Sequence, residues 1–88
     1  MGYEDGQLPS TVMIDPHGPV PVYKQIAKII AGRIERGELL PNRPVPSETQ
    51  LQQEFGVARD TVRNAVAYLR DQGLVFTVPH RGTYVAER

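Results

Sequence analysis

The stretch Glu48–Ala67, ETQLQQEFGVARDTVRNAVA, decides the fold. Leu51 and Phe55 stand one helical turn apart, Gly56 follows at once, and Val62, Ala65 and Val66 resume helical spacing, with Leu69 just beyond. Leu51, Phe55, Val57, Val62 and Ala65 are the positions that must be apolar for two short helices to pack crosswise. Gly56 supplies a turn conformation that a residue with a Cβ resists. Two short helices joined by such a turn form a helix-turn-helix. One position departs from the pattern. Gln52 stands where close helix approach normally asks for a small residue.

Burying Val62, Val66 and Leu69 fixes what the second of these helices exposes. Arg59, Asp60, Thr61, Arg63 and Asn64 lie near its N-terminal end, off the apolar stripe. That end of a recognition helix enters the major groove first. Arginine pairs with the N7 and O6 acceptors of guanine, and asparagine with adenine. Thr61 can donate to phosphate or touch a thymine methyl. Asp60 repels phosphate, so it must accept from cytosine or hold an arginine.

Working outward, Ser47 predicts the start of the preceding helix. Its hydroxyl can accept from the next turn, Gln50 can reach back, and Glu48 suits the positive helix end. Further upstream, Tyr23, Ile26, Ala27, Ile30 and Ile34 recur at helical steps. Pro21 fits a first helical turn, Gly37 ends the helix, and Pro41-Asn42 marks a turn. Downstream, Gly73 ends the third helix. Leu74–Val78 and Thr83–Val85 then read as two strands around the turn Pro79-His80-Arg81-Gly82. His80 and Arg81 stand at its tip, where a guanidinium suits a narrow minor groove. The expected architecture is mainly α with a small β hairpin, a winged helix-turn-helix of three helices plus wing. It covers residues 21–88 and follows an irregular arm over residues 1–20. In the arm, Leu8, Val12, Met13 and Ile14 are candidates for a short strand or packing strap, and disorder is the other reading.

Composition narrows the function. The 88 residues carry no cysteine, which excludes disulfide scaffolds and thiol nucleophiles. No apolar run approaches the roughly 20 residues that span a bilayer. Glu4 and Asp5 stand where a secretory signal would be basic. A cytoplasmic protein is expected. The net charge is zero, yet its distribution is uneven. Glu4, Asp5 and Asp15 are the only charges in residues 1–22, whereas residues 23–88 hold ten basic and seven acidic side chains. His17 and His80 fall in separate expected loops, and no nucleophile, phosphate-loop or metal-ligand spacing appears. Neither an enzyme nor a cofactor is expected.

Six ordered stretches carry a resemblance: P-V-Y-K-Q-I-A at 21–27, G-E-L-L-P at 37–41, P-S-E-T-Q-L at 46–51, F-G-V-A-R-D-T-V-R-N-A-V at 55–66, L-R-D-Q-G-L-V at 69–75 and R-G-T-Y-V at 81–85. Together they resemble the winged-helix DNA-binding domain of the GntR family of bacterial transcription regulators. The resemblance implies sequence-specific binding of a double-stranded DNA operator. It places Ser47 near phosphate beside Glu48, puts Arg59 at the start of the recognition helix, and matches Thr61 and Arg63 to phosphate- and base-contacting positions. Gly82 and Thr83 match the wing. Four positions depart. Ala58 replaces a capping Ser or Thr, which removes about 1 kcal/mol of helix stability. Thr49 stands where some members carry a contacting arginine. His80 replaces a wing glycine, and Asn42 a turn glycine. Family members usually carry a C-terminal effector-binding domain, for which this sequence has no counterpart. It either works without a small-molecule effector, is a cut-down paralogue, or draws the missing part from a partner chain.

One such module makes few phosphate contacts, so a homodimer on a two-fold site is expected, with half-sites about one helical turn apart. The alternative is a winged-helix protein–protein interaction module that touches no DNA. The zero net charge favours it, and Arg59, Arg63 and Arg81 oppose it.

Overall fold

Three helices and a hairpin succeed one another in the computed structural model, which describes residues 14–87. They are α1 (Val22–Glu35), α2 (Glu48–Phe55), α3 (Arg59–Asp71), β1 (Val75–Val78) and β2 (Gly82–Val85). The element order and type follow the sequence expectation. Among the described residues, no helix is long and apolar enough to cross a membrane.

The helices begin and end for local reasons. Pro21 is the residue before α1 rather than part of its first turn. Its backbone is extended (φ −55°, ψ 145°), and its carbonyl accepts from the amides of Lys24 at 3.0 Å and Gln25 at 3.2 Å. At α2, the Ser47 hydroxyl accepts from the Gln50 amide at 3.1 Å, and the Gln50 side chain accepts from the Ser47 amide at 2.8 Å. That reciprocal pair is the capping box foreseen from sequence. Gly56 then turns the chain with φ 66°. α3 ends at Gly73, whose φ of 77° lets two amides fold back: Gly73 onto the Arg70 carbonyl and Leu74 onto the Leu69 carbonyl, both at 3.0 Å. Because the Leu74 amide closes the helix, the first strand starts at Val75, one residue later than the sequence suggests.

The apolar stripes meet in one core. α1 contributes Ile26, Ala27, Ile30 and Ile34, α2 contributes Leu51 and Phe55, α3 contributes Val62, Ala65 and Leu69, and the hairpin closes it with Val75 and Val85. Each fully buried branched side chain contributes about 1.5–3 kcal/mol. Among the described residues none of the buried ones is polar or charged. Val66 is only half-buried, at the edge of this core rather than inside it. An ion pair ties α1 to α2 outside the core. Arg33 forks onto Glu54, with Nη1 3.2 Å from Oε1, and its guanidinium lies 5.7 Å from the centre of the Phe55 ring. Hydrogen bonding to Glu54 raises the Arg33 pKa above its ordinary value.

The strands pair antiparallel, Val75 with Val85, Phe76 with Tyr84, Thr77 with Thr83 and Val78 with Gly82. Phe76 and Tyr84 stack at 5.9 Å. A third segment, unforeseen from sequence, joins the free side of β2. The Asn42 amide donates to the Val85 carbonyl at 2.8 Å, the Val85 amide to the Arg43 carbonyl at 2.9 Å, and the Val45 amide to the Thr83 carbonyl at 2.9 Å. Asn42 opens this segment with φ 63°, the left-handed conformation that asparagine tolerates.

Residues 14–20 run irregularly beside α1, and Gln25 of that helix anchors them by hydrogen bonds. Gln25 accepts from the Asp15 amide at 2.7 Å and donates to the carbonyls of Asp15 at 2.8 Å and Val20 at 2.7 Å. Ile14 packs against the core. Leu8, Val12 and Met13, the rest of the strap expected from sequence, lie outside the described residues.

Candidate nucleic-acid interface

Packing decides which way α3 presents its polar residues. Val62, Ala65 and Leu69 face inward, so Arg59, Asp60, Arg63 and Asn64 are exposed and Thr61 is half-buried. The exposed residues divide between two sides of the helix. Arg59 and Arg63 turn toward the start of α2. There the Arg63 Nε donates to Glu48 Oε2 at 3.1 Å, and the Arg59 Nε lies 3.8 Å from Glu48 Oε1. Both guanidinium side chains stay more than half exposed, at 62% for Arg59 and 55% for Arg63. Asn64 turns the other way and lines a shallow depression with Tyr23, Ala67, Tyr68 and Asp71. Asp60 sits in the first turn of α3, where a carboxylate is favoured by the helix dipole.

The wing meets the same side as the arginines. Ser47 and Glu48 line a cleft with Val66 and with Arg81, Gly82 and Thr83 of the hairpin. Farther along α3, Arg70 Nη1 donates to Thr77 Oγ1 at 2.9 Å, and the Thr77 and Thr83 hydroxyls are 3.3 Å apart. These contacts fix the hairpin against the helix. At the tip, the Arg81 amide donates to the Val78 carbonyl at 3.0 Å, with Pro79 and His80 between them. His80 takes φ 64°, as the third residue of a type II turn requires. The histidine in place of a wing glycine therefore keeps the turn in a glycine-like conformation. His80, Arg81 and Gly82 are exposed, and so is Thr49 in the first turn of α2.

Seven of the twelve sequence-selected residues thus converge: Ser47, Glu48, Arg59, Arg63, Arg81, Gly82 and Thr83. Asn64 lines the neighbouring depression instead. Sequence reasoning missed the Glu48 bridge to both arginines and the Arg70–Thr77 brace. Ala58, as foreseen, gives α3 no side-chain cap.

Known proteins share this fold and much of its sequence. A family model described as "Bacterial regulatory proteins, gntR family" matches residues 22–85. The chain is 39% identical over 74 residues to the HTH-type transcriptional repressor NagR of Bacillus subtilis, covering 84% of this chain and 30% of that protein. It is 47% identical over 70 residues to the mannosyl-D-glycerate transport/metabolism system repressor MngR of Escherichia coli, covering 80% and 29%. It therefore spans about 30% of the length of these curated relatives. Among solved structures, the AraR DNA-binding domain in complex with operator ORR3 is 38% identical with a TM-score of 0.73, covering 94% of this chain and 93% of that one. YtrA from Sulfolobus acidocaldarius, a GntR-family transcription factor, is 38% identical with a TM-score of 0.79, covering 90% and 83%. With the capped α2, the arginine-bearing α3 and the hairpin all inside the matched residues, the chain belongs to the gntR family of bacterial regulatory proteins and carries its winged helix-turn-helix DNA-binding domain.

Proposed function

We propose that the chain binds a double-stranded DNA operator sequence-specifically, with the N-terminal half of α3 in the major groove and the hairpin tip along the minor groove or backbone. One observation carries this reading. Arg59 and Arg63 remain exposed on the side of α3 that adjoins the wing, so both guanidinium groups and Arg81 can meet one duplex. Arg59 and Arg63 read guanine through O6 and N7. Ser47, Thr49, Thr61 and Thr83 donate to phosphate, Asp60 accepts from cytosine, and Asn64 reaches the duplex from the far edge of α3. His80 and Arg81 supply the tip, and Gly82 lets the backbone approach. The similar AraR domain was solved on its operator, which supports the same use here.

The DNA-binding unit spans residues 21–88, and residues 1–20 precede it in the sequence. Two copies bind a two-fold operator as a homodimer, because one module neutralises few phosphates. Occupancy of the operator represses transcription in the cytoplasm, as the names of the NagR and MngR repressors suggest.

Selection from a random duplex pool tests the reading, with light scattering of the resulting complex. The outcome expected is a two-fold motif with half-sites about one helical turn apart and two proteins per duplex. Arg63→Ala should weaken binding by about 1–3 kcal/mol and blur one position of the motif. Arg81→Ala should weaken all sequences alike and flatten the salt slope by about one. No enrichment, and no salt-sensitive binding at low ionic strength, would overturn the proposal.

A further inference from the structure

A single carboxylate, that of Glu48, pairs with two of the arginines of α3, Arg59 and Arg63. Glu48 is the first residue of α2, while Arg59 and Arg63 stand one turn apart on α3, so the contact crosses between the two helices. Both arginines approach through Nε, at 3.1 Å for Arg63 and 3.8 Å for Arg59. A guanidinium engaged at Nε keeps its two terminal nitrogens for another partner. That pair is the fork that donates bidentately to guanine.

The same carboxylate opposes the alternative use of these side chains. A free surface arginine binds any phosphate, which adds affinity without sequence information. Glu48 places one negative charge beside two positive ones and thins that attraction. The trio is exposed in the free protein, with Glu48 at 45%, so water weakens the pairing. A duplex laid over it would exclude water and strengthen the grip.

The geometry points to Glu48 as a specificity-determining positioning residue: it aims Arg59 and Arg63 at base edges and lowers their attraction to phosphate. The inference rests on the DNA-binding reading above and adds to it a residue that acts through two others.

Glu48→Gln in the full chain tests it, because glutamine keeps the size and loses the charge. Parent and variant are titrated with the duplex selected by the parent and with random duplex, across a range of salt. The variant should bind random duplex more tightly, with a salt slope steeper by about one. Discrimination between the two duplexes should fall about tenfold, and a repeated selection should lose preference at the guanine steps. The loss should shrink when Arg63→Ala is already present, since contacting residues are not additive. Thermal melting of the free variants checks folding. Should Glu48→Gln fail to fold, Glu48→Asp keeps the charge at the start of α2 but shortens the reach. It should then lose discrimination without changing the salt slope.

Unchanged discrimination, or effects of Glu48→Gln and Arg63→Ala that simply add, would overturn the positioning role. So would loss of preference at a cytosine alone, because Glu48 would then be reading a base itself. A parent that enriches no sequence overturns the DNA-binding reading first and this role with it, a result visible before any variant is made.

Discussion

Ala58 shows what one missing hydroxyl leaves undone. Its backbone already has the shape of a helix cap, with φ −73° and ψ 160°, and its carbonyl accepts from Thr61 at 3.1 Å and Val62 at 3.3 Å. Only the side-chain acceptor for the first free amides is lacking. Ala58→Ser should therefore stabilise the domain by about 1 kcal/mol, read as a higher denaturant midpoint at unchanged slope. His80 carries a cost of a different kind. A non-glycine residue at φ 64° is strained by about 1–2 kcal/mol. Glycine relieves this but loses more chain entropy on folding, about 0.5–1 kcal/mol. His80→Gly should raise stability by the difference, about 0.5–1 kcal/mol, in thermal unfolding at pH 7. At this scale the sequence was readable wherever partners are neighbours. Ser47 and Gln50 are three residues apart, and their capping box follows from helix geometry alone. Glu48 and Arg63 are fifteen apart, and only the crossing of two helices brings them together.

Gln25 organises an element that has no regular structure of its own. Its amide serves the Asp15 amide and the carbonyls of Asp15 and Val20, so residues 15–20 are held to α1 through one side chain. Gln25→Ala should cost roughly 1 kcal/mol of stability. Amide exchange should accelerate at Asp15 while the amides of α3 keep their protection, and equal exchange in both proteins would remove this role. The helices were legible because each buries a stripe of period 3.6, and glycines mark their ends. The segment at 42–45 was not. Pro44 and Pro46 break the alternation that marks a strand, and the pairing depends on β2 lying alongside.

For the molecule as a whole, charge lies at the surface and the described core is wholly apolar. Titration therefore acts through surface pairs. Glu38 keeps its pKa below the ordinary 4.5 because the Arg36 Nε donates to it at 2.7 Å. A carboxylate depressed in the folded state stabilises above its unfolded pKa and loses that contribution as pH falls. Glu38→Gln should lower stability slightly at pH 7, and parent and variant should converge below pH 4.5, as denaturant titration at the two pH values would show. Arg33 has the opposite sign. The hydrogen bond to Glu54 raises its pKa above the ordinary arginine range, so its charge is kept through neutrality and lost only in strong alkali.

The position of β2 has a mechanical consequence. This strand lies between β1 on one side and residues 42–45 on the other, with ladder bonds to both. Tension applied along the chain beyond Val85 would load two rows of hydrogen bonds in shear, rather than unzip one row from its end. The base of the hairpin would resist such a pull as a stiff anchor, leaving the turn at Pro79–Arg81 as the part free to yield.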